Sequence, residues 1–214
     1  MTSLQQQTQA QIEKTRQAKP EFMDRIDELM VQATQFKQGG QAIAVGQRAP
    51  DFELPNSNGD PTKLSGLLRR GPVVLMFYRG GWCPYCNLQL RAMQTRLSEI
   101  HALGAELVAI SPQVPEQSLS MIEKAELEFP VLSDQDARVA AQFGVAWQVP
   151  ELILDHMRKD RGLDLAQINN GNAAVLPIPA TFVLSADGVV IWRYVNVDYR
   201  SRAEPDDVIM ALKN

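Results

Sequence analysis

Residues 72 to 78 form an unbroken apolar run, Pro72-Val73-Val74-Leu75-Met76-Phe77-Tyr78, followed within a few residues by Trp82-Cys83-Pro84-Tyr85-Cys86. A strand without polar alternation is buried on both faces, the pattern of a central parallel strand with helices above and below it. The run is far too short to span a bilayer. It therefore predicts a layered α/β domain, and the rest of the chain has to supply the neighbouring strands and the covering helices.

The downstream pattern does so. Asp51 to Leu54 reads as a short strand before a turn at Asn56–Asp60. Leu88, Leu90, Met93, Leu97 and Ile100 share one helical face, and Leu107 to Ile110 reads as the next parallel strand. Residues 115–127 and 137–143 read as helices, with a short strand at Phe129–Leu132 between them. Residues 149 to 161 read as a further helix or lid, and the turn-rich Asn169-Asn170-Gly171-Asn172 completes a stretch placed to cover a site. Thr181–Leu184 and Val189–Trp192 face each other across Ser185-Ala186-Asp187-Gly188, whose Asp-Gly pair signals a hairpin. Glu204-Pro205 opens a closing helix. The expected architecture is a central mixed sheet flanked by helices.

Residues 1–47 read as a separate N-terminal helical extension, with the main domain over 48–214. The extension is rich in Gln and holds no Cys or Trp. Phe22, Ile26, Leu29, Ala33 and Phe36 form one apolar helical face, and Gly39-Gly40 ends it. Such a face serves either docking on the chain's own domain or a homodimer contact.

Composition narrows the function classes. Of 214 residues, 45% are hydrophobic and 21% charged, which suits a chain that buries a full core. Lys and Arg total 21 against 25 Asp and Glu, a net charge of −4 that offers no basic surplus for nucleic acid. The first ten residues lack the apolar core of a secretory signal, and two cysteines make no disulfide framework. The expectation is a reducing cytoplasm and no membrane.

Those two cysteines, Cys83 and Cys86, carry the chemistry. Pro84 suits the first position of a helix, where its missing N–H costs nothing. Cys83 then sits just outside the helix and Cys86 in its first turn. There, unpaired N–H groups and the helix dipole favour a thiolate. Two thiols at this spacing close a disulfide, so one attacks and the other resolves. A zinc half-site would need two more ligands, and His101 and His156 lack the spacing to supply them. Neither metal nor cofactor is expected.

Trp82-Cys83-Pro84-Tyr85-Cys86 between a buried strand and a helix resembles the active site of the thioredoxin-like fold, and Cys-Pro-Tyr-Cys resembles its glutaredoxin form. Ile178-Pro179-Ala180-Thr181-Phe182 resembles that fold's cis-proline loop, which implies a cis Ile178–Pro179 bond with Pro179 facing the cysteines. Over roughly residues 45–212 the chain resembles the alkyl hydroperoxide reductase/thiol-specific antioxidant family of peroxiredoxin-like proteins. The residues that carry this are Gly46 to Phe52, Pro72 to Arg79 and Ala180 to Gly188. The resemblance implies a thiol-dependent peroxidase reducing hydrogen peroxide or organic hydroperoxides, regenerated by thioredoxin, glutaredoxin or glutathione.

In that register Cys86 falls at the peroxidatic position. Cys83 replaces the family's hydroxyl residue, Arg79 replaces a proline, and Pro179 replaces an arginine. The thioredoxin analogy instead makes Cys83 the attacker and implies an oxidoreductase acting on protein disulfides. Both assignments stand at this point. Arg79 is a candidate for the missing positive charge, Trp82 for packing the loop, and Tyr85 for bounding a substrate groove. Arg200 and Arg202, after the strand holding Trp192, are candidate anion contacts.

Overall fold

The computed structural model describes residues 2–118, 122, 126–172 and 174–214. A five-stranded sheet in the order β5-β4-β3-β8-β9 forms its centre. Strand β3 (Val73–Phe77) lies in the middle with every residue buried. It pairs in parallel with β4 (Glu106–Ser111), which pairs in parallel with β5 (Val131–Ser133). On its other side β3 pairs antiparallel with β8 (Ala180–Leu184), which forms the hairpin with β9 (Val190–Val195). The expected mixed sheet is present, and β3 is apolar because both of its faces are covered.

The short strands β1 (Glu53–Pro55) and β2 (Pro61–Lys63) form a separate hairpin, and α3 (Leu64–Leu68) follows it. The apolar face at 88–100 belongs to two helices, α4 (Pro84–Gln94) and α5 (Leu97–Ala102), with Leu90, Met93, Leu97 and Ile100 buried and Leu88 only partly so. The helix expected over 115–127 is seen at 115–118, while 119–121 and 123–125 lie outside the described residues. A second small pairing, β6 (Ala146–Gln148) with β7 (Val175–Pro177), has no counterpart in the sequence reading. Between them run helices at Glu151–Asp155 and Leu165–Ile168 and a wider π-helical turn at His156–Asp160. The closing helix is Pro205–Lys213.

The implied cis proline is corrected by the structure. The described residues contain no cis peptide bond, so Ile178–Pro179 is trans. The chain runs extended through it. Pro177 pairs with Ala146, the Ile178 N–H donates to the Val145 carbonyl at 2.7 Å, and Ala180 pairs with Phe77. No turn is required, and the trans form keeps its intrinsic advantage of about 0.5–1 kcal/mol.

The N-terminal region is two helices, α1 (Leu4–Ala18) and α2 (Pro20–Gln35), where the apolar spacing predicts only the second. α1 is specified by its ends. Ser3 and Gln6 form a reciprocal capping box, and Pro20 cannot continue the helix. The Glu204 carboxylate also accepts from the N–H groups of Leu4 and Gln5, at 3.2 and 2.6 Å. On α2, Ile26, Met30 and Ala33 are buried in the chain's own core and Phe22 and Leu29 pack partly against it, so most of the predicted face docks intramolecularly, while Phe36 is exposed. Among the described residues no helix is long and apolar enough to cross a membrane.

Phe143 joins the layers. It is fully buried, and its ring lies 5.0 Å from Phe77, 5.4 Å from Phe182 and 6.3 Å from Phe52, centroid to centroid. Phe143→Ala is expected to cost about 3–5 kcal/mol of stability through the cavity it leaves. Chemical denaturation of the variant, followed by far-UV circular dichroism, measures the loss, and a cost below 1 kcal/mol would contradict this packing.

Candidate active site

The site is built where β3 runs into α4. Tyr78 continues the strand by donating its N–H to the Ile110 carbonyl at 3.0 Å. Gly80 then turns the chain at φ +149°, a conformation open to glycine, and a Cβ there would meet the Trp82 indole at 2.3 Å. The loop is pinned on both sides. Gly81 N–H donates to Gln113 Oε1 at 2.6 Å, and Asn87 Nδ2 donates to the Gly81 carbonyl at 2.8 Å. Pro84 is the first residue of α4, Cys83 occupies the cap position, and Cys86 lies in the first turn.

Both sulfurs are buried, with Cys83 1% and Cys86 0% exposed. Their environments differ. Burial raises the Cys86 thiol, but four contacts outweigh it: the hydrogen bond from Cys83, the Arg202 guanidinium, the Arg79 N–H and the Arg79 charge. Together they hold the Cys86 thiol at about 5. The Arg202 contact is direct, Nη2 to Sγ at 3.2 Å. Cys83 moves the other way. Burial and its hydrogen bond to the charged Cys86 sulfur push it well up, so it remains a thiol.

Arg79 is a buried cation, 2% exposed, and among the described residues no carboxylate pairs with it. Aromatic faces hold it instead, Tyr199 at 4.1 Å and Trp82 at 5.2 Å from the guanidinium carbon. Its Nε and Nη2 are buried without a hydrogen-bond partner. Tyr85 is buried and meets Tyr199 edge-on at 5.9 Å.

A cavity of about 440 Å³ opens onto Cys83, Trp82, Tyr85 and Arg79. Cys86 is absent from its lining and is fully buried. Pro179 is buried and takes no part in the lining. Of the two later arginines, Arg202 reaches the sulfur. Arg200 turns away, to Asp198 at 2.8 Å and to Asp27 of α2 at 2.5 Å. The 149–161 stretch does cover the site, through Ile153, His156, Met157 and Arg161. The Asn169–Asn172 turn does not line it. Sequence reasoning missed Tyr199 and the wall that α1 and α2 contribute. α1 is too polar for apolar periodicity to reveal.

Fold and site together define the class: a thioredoxin-like domain presenting one thiolate and one thiol at the start of a helix. Residues 45–193 match the family model described as AhpC/TSA family. The chain is 32% identical over 103 residues to peroxiredoxin Bcp of Escherichia coli strain K12, covering 48% of this chain and 65% of that protein. It is 38% identical over 103 residues to a Mycobacterium tuberculosis protein with a peroxiredoxin name, 48% of this chain and 67% of that one. The crystal structure of peroxidoxin BcpB from M. tuberculosis superposes with a TM-score of 0.63 at 27% identity, over 80% of this chain and 97% of that one. Reduced 2-Cys peroxiredoxin of Plasmodium vivax shares the fold, with a TM-score of 0.61 at 16% identity over 80% of this chain and 81% of that one. The chain belongs to the AhpC/TSA family. Its class is that of the thiol-dependent peroxidases.

Alkylation of Cys86 by a small electrophile is expected to rise with pH through about 5 and to be flat by neutrality, because its thiolate exists above that value. Arg202→Gln removes an adjacent positive charge. It is expected to move that midpoint up by roughly 1–3 units. Stopped-flow rates across pH 4–9 check this, and an unmoved midpoint would exclude Arg202 as the stabilising charge.

Proposed function

We propose that Cys86 is the attacking thiolate and Cys83 the resolving thiol of a peroxide-reducing cycle. The observation that carries this is the asymmetry of the pair: Arg202 and Arg79 hold Cys86 ionised, while Cys83 stays protonated. Cys86 attacks one peroxide oxygen and the O–O bond breaks. The leaving oxygen departs with the bonding pair and takes a proton, giving water or an alcohol, and Cys86 becomes a sulfenic acid. Cys83 then attacks that sulfur, water leaves, and a Cys83–Cys86 disulfide closes. A thiol reductant returns both sulfurs to the start.

In this cycle the unpartnered Nε and Nη2 of Arg79 donate to the peroxide oxygens as charge develops on them. Arg79 and Arg202 thereby stand in for the arginine that Pro179 replaces. Trp82 serves by holding Arg79, and Tyr85 by bracing Tyr199 and bounding the cavity. The reading treats 1–47 as an extension of a 48–214 catalytic domain and places the protein in a reducing cytoplasm, where thiol reductants are abundant. The rival use of the dithiol, turnover of protein disulfides, needs an exposed attacking sulfur, and Cys83 is 1% exposed.

Trp82 adjoins the cysteines and reports their oxidation. Mixed with hydrogen peroxide, the reduced protein is expected to show a fluorescence change far faster than a free thiol reacts. Cys86→Ser is expected to abolish it. Cys83→Ser is expected to keep one oxidation event and stop at a sulfenic acid, trapped by a dimedone-type reagent. The opposite assignment of the two variants would overturn these roles.

A further inference from the structure

The helices that roof the site lie outside the family match. That match begins at residue 45, whereas α1 packs on α4 and, with α2, supplies one wall of the cavity above Cys83. The opposite wall is the 153–161 segment, and the two are fastened together. Phe22 of α2 stacks on His156 at 3.8 Å, and the Asp160 carboxylate accepts from Lys19 at 3.1 Å and meets His156 Nδ1 at 2.6 Å. Asp27 ties α2 to Arg200 as well. A folded protein reductant has to bring its own sulfur into line with a disulfide. Here the sulfur that faces the cavity, Cys83, is 1% exposed and lies below the walls formed by α1, α2 and the 153–161 segment.

That space suits a small molecule. Its volume, about 440 Å³, is in the range of ligand pockets. Its upper wall is basic. Lys14 of α1 has no carboxylate partner among the described residues, and Arg161 donates Nη2 to the Trp82 carbonyl at 2.8 Å without any acidic partner there. Asp160 is the one acidic lining residue, and Lys19 and His156 already engage it.

We infer that the cavity roofed by α1 and α2 binds a low-molecular-weight thiol bearing carboxylates, held by Lys14 and Arg161, and that this thiol reduces the disulfide at Cys83. The inference rests on the reading that Cys83 and Cys86 close a disulfide during turnover. The bound thiolate attacks Cys83 Sγ, the only disulfide sulfur facing the cavity. The Cys83–Cys86 bond breaks, and its electron pair leaves on Cys86 as the thiolate. A low thiol pKa makes Cys86 the better leaving group. A second molecule of the thiol attacks the sulfur of the first in the mixed disulfide. It releases Cys83, which takes a proton, and forms the small-molecule disulfide. Two thiols are oxidised for one protein disulfide reduced.

The test uses the full chain, oxidised with diamide so that no peroxidase activity is presumed. Its reduction is followed by Trp82 fluorescence and by counting liberated thiols. Glutathione is the probe, 2-mercaptoethanol the uncharged control, and thioredoxin with its reductase the protein competitor. The glutathione rate is expected to saturate with concentration. Lys14→Gln, and more strongly Lys14→Gln with Arg161→Gln, is expected to raise the half-saturating glutathione concentration. The pair should raise it about tenfold or more, as lost charge-assisted contacts do, and leave the 2-mercaptoethanol rate within about twofold. Rates linear in glutathione, equal effects on both thiols, or faster reduction by thioredoxin than by saturating glutathione would each overturn the inference. The two readings fail separately. A reduced protein indifferent to peroxide, whose diamide-made disulfide still shows saturable glutathione reduction, loses only the peroxidase cycle.

Discussion

The site depends on placing a thiolate where water cannot solvate it. Moving a bare anion into a dry interior is prohibitive unless opposite charge and hydrogen bonds travel with it. Cys86 is fully buried, and it is surrounded on that principle: the Arg202 guanidinium at 3.2 Å, the Cys83 thiol, and the Arg79 N–H and side chain. Each partner comes from a different element. Arg202 precedes the closing helix, Cys83 occupies the cap of α4, and Arg79 lies in the loop after β3. Sheet register, hairpin and closing helix must therefore all be in place before the sulfur is stable as an anion.

Arg79 shows how the site keeps positive charge unspent. A buried arginine is ordinarily neutralised by a carboxylate, which would also cancel its pull on a thiolate or a peroxide. Here aromatic faces replace the carboxylate, with Tyr199 and Trp82 against the guanidinium and Tyr85 bracing Tyr199. Cation–π contact stabilises the ion by about 0.5–2 kcal/mol and leaves its N–H groups available. Arg200, four residues before Glu204 at the start of the closing helix, has the opposite fate. It is saturated by Asp198 and Asp27 and serves as a clasp for α2.

The local parts of this arrangement were legible in the sequence. The apolar run at 72–78 gives β3, Pro84 gives the start of α4, and Asp187-Gly188 gives the β8–β9 hairpin, because each is decided by neighbouring residues. What was not legible depends on distant partners. Arg79 reads as a candidate positive charge, but its burial follows only once Trp82 and Tyr199 cover it. Arg200 and Arg202 read alike, but Asp198 and Asp27, the latter 173 positions away, hold Arg200, while Arg202 reaches Cys86. α1 is held by its capping box and by Glu204 more than by an apolar stripe, so periodicity passes over it. The proline loop resembles one with a cis bond, yet its neighbours' pairing keeps the chain extended.

Depth orders the two sulfurs. A thiolate meant for a small oxidant gains from being the innermost group, since burial sharpens every charge around it. A thiol meant to close and reopen a disulfide must remain within reach of a reductant. Cys86 meets the first requirement and Cys83, lining the cavity, the second. The helix start sets this order: the cap residue Cys83 lines the cavity, and Cys86, three positions on in the first turn, is fully buried and does not. The same four-residue spacing that admits two chemical readings thus acquires a direction from the arginines behind it and the helices above it. In the proposed cycle the inner sulfur meets the oxidant and the outer one the reductant.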